Sequence, residues 1–370
     1  WYNNYSIMTN QINIAFAQSL QAKAKQLLKE LIAIPSFSKE ENATANCIEQ
    51  FLIQHGVKTN RIQNNIWATN LYFDESKPSI LLNSHHDTVK PNNSYTLDPF
   101  SAIEQEGKLF GLGSNDAGGS LVSLIASFLY FHTTEHLPFN LVLLASAEEE
   151  ISGLNGVELV LKHIPKIDFG IVGEPTLLEM AIAERGLMVL DVEATGMAGH
   201  AAREEGDNAL YSILKDIEWF RNYQFEKVSP LLGAVKMTVT VIETDNKTHN
   251  IVPSSCKMVV DVRVNELYTF EEILATIQSN ISSSMKPRSL RLRSTSIGLD
   301  HIAVKAGLSI GKGYFGSVTT SDKALMPFPT LKMGPGDSAR SHTADEFIYI
   351  KEIEEGVLTY IQLLSTIFTS

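Results

Sequence analysis

Imidazoles and carboxylates gathered where apolar runs stop are what a chain needs to hold divalent cations, and five places in these 370 residues have that makeup. The first is His85-His86-Asp87, which follows Leu81-Leu82-Asn83-Ser84. In extended chain, alternate residues share a face, so His85 and Asp87 point together. A carboxylate beside a metal-binding imidazole fixes its tautomer and raises its basicity. The plain alternative is a polar strand end with two surface histidines. The second is Asp116, in Gly113-Ser114-Asn115-Asp116-Ala117-Gly118-Gly119 ahead of an apolar helix. Taken alone, it reads as an N-cap.

The third place is Glu148-Glu149-Glu150, directly after Leu141-Val142-Leu143-Leu144-Ala145. Three carboxylates at the end of a buried strand repel one another, and burial adds to the cost. A cation relieves that strain and leaves one member free to act as a general base; the alternative is a solvated acidic loop. The fourth, Gly173-Glu174-Pro175-Thr176, also suits a simple turn because of Pro175. The fifth is His342, in Arg340-Ser341-His342-Thr343-Ala344-Asp345-Glu346, otherwise a loop histidine or a cap partner. Two histidines and three acidic ligands without thiolates suit two divalent ions such as Zn²⁺ or Co²⁺.

The elements that must position these groups alternate between helices and buried strands. Helical spacing covers Gln21–Ile34 (stopped by Pro35), Glu41–His55, Gly119–Phe131 and Gly156–Lys162. Strands are expected over Ile66–Phe73, Ser79–Ser84, Asn140–Ala145 and Phe169–Gly173. That rhythm implies an α/β fold, a mostly parallel sheet with helices on both faces, whose strand ends form the site. After Glu184 the pattern changes. Strands over Leu187–Ala194, Ala234–Glu243, Cys256–Val264 and Leu290–Ile297 enclose helices over Asn208–Tyr223 and Thr269–Ile281. This β-α-β-β-α-β order predicts an inserted ferredoxin-like α+β domain over residues 184–298. Residues 1–183 and 299–370, closing with a helix over Lys351–Ile367, form the α/β domain.

Length and composition agree with this division. Single cores stop growing near roughly 250–300 residues, so 370 residues suit two domains. With 44% hydrophobic and 19% charged residues, the chain is an ordinary globular protein. A net charge of −12 without a basic stripe excludes nucleic acid as a partner. No apolar run approaches the ~20 residues of a bilayer span, and no basic-then-apolar leader is seen, so the expectation is a cytoplasmic protein without a membrane partner. Trp1 to Ile7, ahead of Met8, are set aside from fold reasoning. Cys47 and Cys256 are expected to be reduced, buried thiols.

At the five places the sequence resembles the M20 family of metallohydrolases, which includes acetylornithine deacetylase, succinyl-diaminopimelate desuccinylase, carboxypeptidase G and aminoacylase. His85-His86-Asp87, Gly113 through Asp116, Glu149-Glu150, Gly173-Glu174-Pro175 and His342 occur in family order across nearly the whole chain. The resemblance implies a zinc-exopeptidase-like catalytic domain with an inserted dimerisation, or lid, domain, and hence a homodimer. It implies that Asp116 bridges two ions, completed by His85 and Glu174 on one and by Glu150 and His342 on the other. Glu149 would be the general base and Asp87 would orient His85; a one-residue slip in the run would make Glu148 the base.

From the inserted domain, His200, in Gly196-Met197-Ala198-Gly199-His200, would donate to the oxyanion in the partner subunit's site, unless it is simply a loop histidine. Asn250 and Arg263 match substrate-contacting positions, although an Asp-x-Arg on an alternating strand is often a surface ion pair. The Gly334-Pro335-Gly336 turn would shape the pocket floor. One departure is Gly118, where many members carry Lys. The small-molecule reading placed first is deacetylation of N-acetyl-L-ornithine, or of N-acetylcitrulline or N-succinylornithine, in arginine biosynthesis. Succinyl-diaminopimelate desuccinylase, a metallo-di- or tripeptidase, and a non-catalytic binding homologue stand as alternatives.

Overall fold

The computed structural model describes residues 12–203 and 205–370; the segment from Trp1 to Ile7 lies outside them. The chain divides into two compact units. The first runs to Ile182 and resumes over Ile297–Phe315 and Ser321–Ser370. The second comprises Ala183–Ser296 and the short return Gly316–Thr320, which carries no pattern that announces it.

The first unit is built on a mixed sheet. Its strands lie side by side in the order Thr59–Ile62, Asn65–Thr69, Asn140–Ser146, Ser79–His85, Phe169–Val172, Thr330–Lys332 and Met180–Glu184. The central pairings, from Asn140–Ser146 across to Thr330–Lys332, are parallel, and the pairings toward both edges are antiparallel. The expectation of a mostly parallel sheet therefore holds for its centre only. The expected strand Ile66–Phe73 stops at Thr69, because Asn70 turns its side chain to accept the Leu141 amide at 2.9 Å.

Both faces of this sheet are covered. The helices Ile14–Ile32, Gly119–His132 and Ile350–Thr369 pack together, with Gly119–His132 against the central strands. On the other face Leu81, Val142, Leu144 and Val172 meet Val157, Val160, Ile167 and Met326. Every residue of Ser79–His85 and of Asn140–Ser146 is buried. Each fully buried Leu or Val in them contributes about 1.5–3 kcal/mol over exposure, which holds the strand ends rigidly where the polar residues begin. The first helix starts at Ile14 rather than Gln21, because the Asn13 side chain accepts the Phe16 amide at 3.0 Å and caps it. The helix expected over Gly156–Lys162 shortens to Val157–Val160.

The second unit carries a four-stranded antiparallel sheet in the order Lys236–Thr244, Ser255–Val264, Gly186–Thr195, Ser284–Pro287. With helices Ala209–Asn222 and Phe270–Asn280 between them, this is the ferredoxin-like β-α-β-β-α-β order. Asn208 and the Thr269–Glu272 capping box start those helices. One expectation is corrected: the last strand is Ser284–Pro287, not Leu290–Ile297, of which only Thr295–Ser296 is in a strand. The Arg288 amide still donates to the Val189 carbonyl at 2.9 Å, but the next bond, from the Leu187 amide to the Leu292 carbonyl at 2.9 Å, falls two residues out of register, so the alternating Leu290-Arg291-Leu292-Arg293 segment lies outside the ladder. The cysteines are free, but only Cys256 is buried. Cys47 is part exposed, its thiol pushed up to about 11 by burial and by Glu30. No helix among the described residues is long and apolar enough to cross a membrane.

Candidate metal centre

His85 is the last residue of its strand, at the edge where parallel strands leave the sheet. Its Nδ1 donates to the Asp87 carbonyl oxygen at 2.9 Å, which directs the lone pair of Nε2 outward. Nε2 is buried and makes no hydrogen bond. It faces Asp116 Oδ1 at 3.4 Å, Glu149 Oε2 at 3.8 Å and Glu174 Oε1 at 3.9 Å. Burial alone would lower the His85 pKa, but Glu149, Asp116, Asp87 and Glu174 hold it well above its ordinary value. An orphaned imidazole nitrogen ringed by carboxylates is an arrangement that a cation resolves.

Asp87 does more than orient His85. Its carboxylate is fully buried and accepts the Ser38 hydroxyl at 2.7 Å and the amides of Glu149 and Glu150 at 3.0 and 3.1 Å. Burial opposes its charge, yet these donors and His85 keep its pKa below the usual carboxylate value. One side chain therefore holds both the histidine and the turn bearing the glutamates.

That turn settles which glutamates point inward. Glu148 adopts φ 56°, and its carboxylate turns away to accept the Asn155 side-chain amide at 2.9 Å. Its own amide donates to the buried Glu41 at 3.3 Å. Glu149 and Glu150 face the other carboxylates. Burial, together with Glu174, Asp322 and Glu150, raises the Glu149 pKa well above the ordinary value despite His85. Glu150 Oε2 lies 3.0 Å from His342 Nε2, and this contact raises the His342 pKa to about 9.

Asp116 sits in a tight turn, Ser114–Gly118, whose Asp116–Ala117 peptide is cis. Its side chain caps no helix; its Oδ1 faces His85 and its Oδ2 lies 3.6 Å from His342 Nε2. The turn is held by Glu346, which accepts the Asn115 and Asp116 amides at 2.8 and 2.9 Å. Burial and Asp116 push the Glu346 pKa up to about 8. Neither Glu346 nor Ser38 stands in a motif that marks it for a role. The signal for Glu346 is an acid four residues beyond His342 in a segment already marked; for Ser38 there is none.

Two groups of side chains converge with ligand atoms within 4.8 Å: His85, Asp116 and Glu174, and Asp116, Glu150 and His342. Asp116 belongs to both. Imidazole and carboxylate donors in this number fit a pair of divalent ions. Gly334 lies against Glu174: a Cβ there would stand 2.5 Å from the Glu174 carbonyl oxygen, so this glycine secures the Glu174 backbone.

A family profile described as peptidase family M20/M25/M40 matches residues 81–366, which takes in every side chain of the two converging groups. The chain belongs to the M20 family. It is 29% identical over 282 residues to a succinyl-diaminopimelate desuccinylase of Rickettsia bellii, covering 71% of this chain and 72% of the relative. Its fold matches an M20 family metallo-carboxypeptidase of Sulfolobus solfataricus with a TM-score of 0.75 at 16% identity, over 94% of this chain and 100% of the other. A dinuclear metal binding M20 peptidase of Bacillus subtilis gives 0.71 at 14% identity, over 95% and 98%.

Gly118, the departure from the M20 pattern, has a local reason. A Cβ there would lie 2.4 Å from the Gly113 carbonyl oxygen and 2.6 Å from a Leu28 methyl. Gly118→Ala is therefore expected to cost about 1–3 kcal/mol, as overpacking does, and to lower the melting temperature. An unchanged melting temperature would show that the turn accommodates the methyl.

The remaining residues singled out from the sequence lie in the second unit. His200 forms a two-residue strand pairing with Ile251–Val252, and the Ala201 amide donates to the Asn250 carbonyl at 3.0 Å, so His200 and Asn250 are neighbours. His200 Nδ1 accepts the Ala202 amide at 3.2 Å, which leaves Nε2 free of that bond. Arg263 is bonded in a fork to Asp261 at 2.8 and 3.0 Å, the ion pair that an alternating Asp-x-Arg suggests.

Proposed function

We propose that this M20 metallohydrolase cleaves the amide bond of a small N-acyl amino acid, with an N-succinyl dicarboxylic amino acid such as succinyl-diaminopimelate the favoured substrate. The Rickettsia relative favours that substrate over N-acetylornithine, which the motifs alone suggest first. The observation that carries the reaction class is Glu149, a part-buried carboxylate, its side chain 12% exposed, beside both candidate ligand groups and a member of neither.

His85, Asp116 and Glu174 would hold one divalent ion, and Asp116, Glu150 and His342 the other. When bound, Zn²⁺ or Co²⁺ at such sites lowers the pKa of water and polarises a carbonyl. Glu149 accepts the proton of the attacking water and returns it to the departing amine nitrogen. Its raised proton affinity suits both halves of that exchange. Asp87 fixes the His85 ring and, through two amides, the direction of Glu149. In the partner subunit's site His200 would supply a donor for the tetrahedral oxyanion, and Asn250 and the Gly334 turn would contact the substrate, while Arg263 is engaged by Asp261. A homodimer formed through the second unit is supported by its edge strand Lys236–Thr244, where Val241 and Ile242 are exposed.

The test is amine release from N-succinyl-diaminopimelate, N-acetylornithine, N-succinylornithine, N-acetylcitrulline and several dipeptides, with and without a chelator. Chelator-sensitive release from the succinyl-diaminopimelate alone is the expected result. Release from N-acetylornithine alone would restore the arginine-pathway reading, and cleavage of dipeptides alone would make the chain a peptidase, the runner-up that the fold of the Sulfolobus enzyme keeps open.

A further inference from the structure

We infer that Asp322 is a positioning residue that ties together the ends of the two strands carrying the catalytic groups. The inference rests on the metallohydrolase reading above. Asp322 opens a short turn, Asp322–Leu325, far along the sequence from either strand, and its side chain is buried, with the residue 3% exposed. Its Oδ2 accepts two hydrogen bonds, from the Ser146 hydroxyl at 2.6 Å and from the Asn83 side-chain amide at 3.0 Å.

The two donors are placed to matter. Asn83 is two residues before His85 in the same strand and so shares its face. Ser146 ends the neighbouring strand and is the register partner of His85. From Ser146 the chain passes directly into the Glu148 turn that presents Glu149 and Glu150. One carboxylate oxygen therefore fastens the last turn-free residues before both halves of the site. The backbone ladder fixes the spacing of the two strands, and the Asp322 bridge fixes the side chains at their ends.

The arrangement is not what stability alone would select. A buried carboxylate amid other carboxylates is expensive. The same bridge leaves Asn83 Oδ1 buried without a hydrogen bond, a further cost.

Supporting residues of this kind, when removed, cost about 10–100-fold in metal affinity or activity. Asp322→Ala is expected to lower kcat and Zn²⁺ affinity, measured by chelator competition, by about that factor with KM within about threefold. Asp322→Asn keeps an acceptor oxygen and should recover most of both losses. Ser146→Ala, which removes one bond only, should show a smaller loss of the same sign, and stands in should Asp322→Ala fail to fold. Zinc affinity is read without any substrate, so an incorrect substrate assignment leaves this arm intact. Wild-type zinc affinity and kcat in a folded Asp322→Ala or in Ser146→Ala would overturn the inference, as would an Asn variant no better than Ala.

Discussion

Glu149→Gln is expected to lower kcat by about 10²- to 10⁴-fold, the range that a positioned proton-transfer group supplies. The amide has the shape of the carboxylate and can keep its place, because the Glu149 backbone is fixed by its amide to Asp87 at 3.0 Å. What it cannot do is take up a proton. Metal content should be unchanged, since Glu149 belongs to neither group of converging ligand atoms. Steady-state kinetics with metal analysis on the same sample checks both halves. Glu148→Gln is the companion: its carboxylate is engaged by Asn155, so the loss should appear in melting temperature rather than in turnover. Were Glu148→Gln the inactive variant and Glu149→Gln near wild type, the assignment of the base would be wrong.

Removing the shared ligand should empty the whole centre. Asp116 is the one side chain common to both groups, with one oxygen toward His85 and the other toward His342. Asp116→Ala is therefore expected to retain neither ion after dialysis and to have no measurable turnover. His342→Ala disturbs only the group containing Glu150 and should keep one ion. Metal stoichiometry by mass spectrometry separates these outcomes. Equal metal content in the two variants would mean that Asp116 does not bridge. Chelation of the intact protein should reproduce the Asp116→Ala phenotype, with activity returning when Zn²⁺ or Co²⁺ is added back.

The sequence carried the site further than it carried the fold's margins. Residues sitting where apolar strands stop were legible because a buried strand such as Ser79–His85 is a continuous apolar run that ends abruptly in charge. The same logic located the long amphipathic helices. It failed where a single hydrogen bond decided the outcome. Asn70 ends a strand by side-chain capture of an amide, Asn13 starts a helix early, and the bond from the Leu187 amide to Leu292, two residues out of register, leaves an alternating segment outside the ladder. Glu346 and Asp322 escaped for a related reason. Asp322 has no local pattern and Glu346 only its closeness to His342, and each acquires its role from groups 176 to 239 residues away that the fold brings to it. The register of Glu148-Glu149-Glu150 was likewise undecidable from three identical letters; the positive φ of Glu148 and its bond to Asn155 distinguish them.

The first unit is discontinuous, and this has a consequence for how the protein is made. Its site draws on His85 near the start and on His342 and Glu346 near the end, while Ala183–Ser296 of the second unit lie between. Domains fold as units while the ribosome is still adding residues, so the second unit can mature on a nascent chain whose first sheet still lacks Thr330–Lys332. Throughout that interval the carboxylates from Asp87 to Glu174 have been synthesised without the histidine that completes their set. Filling of the group that needs His342 would thus belong to the close of translation, and a ribosome stalled before that residue would leave only the His85, Asp116 and Glu174 group with its full set of side chains.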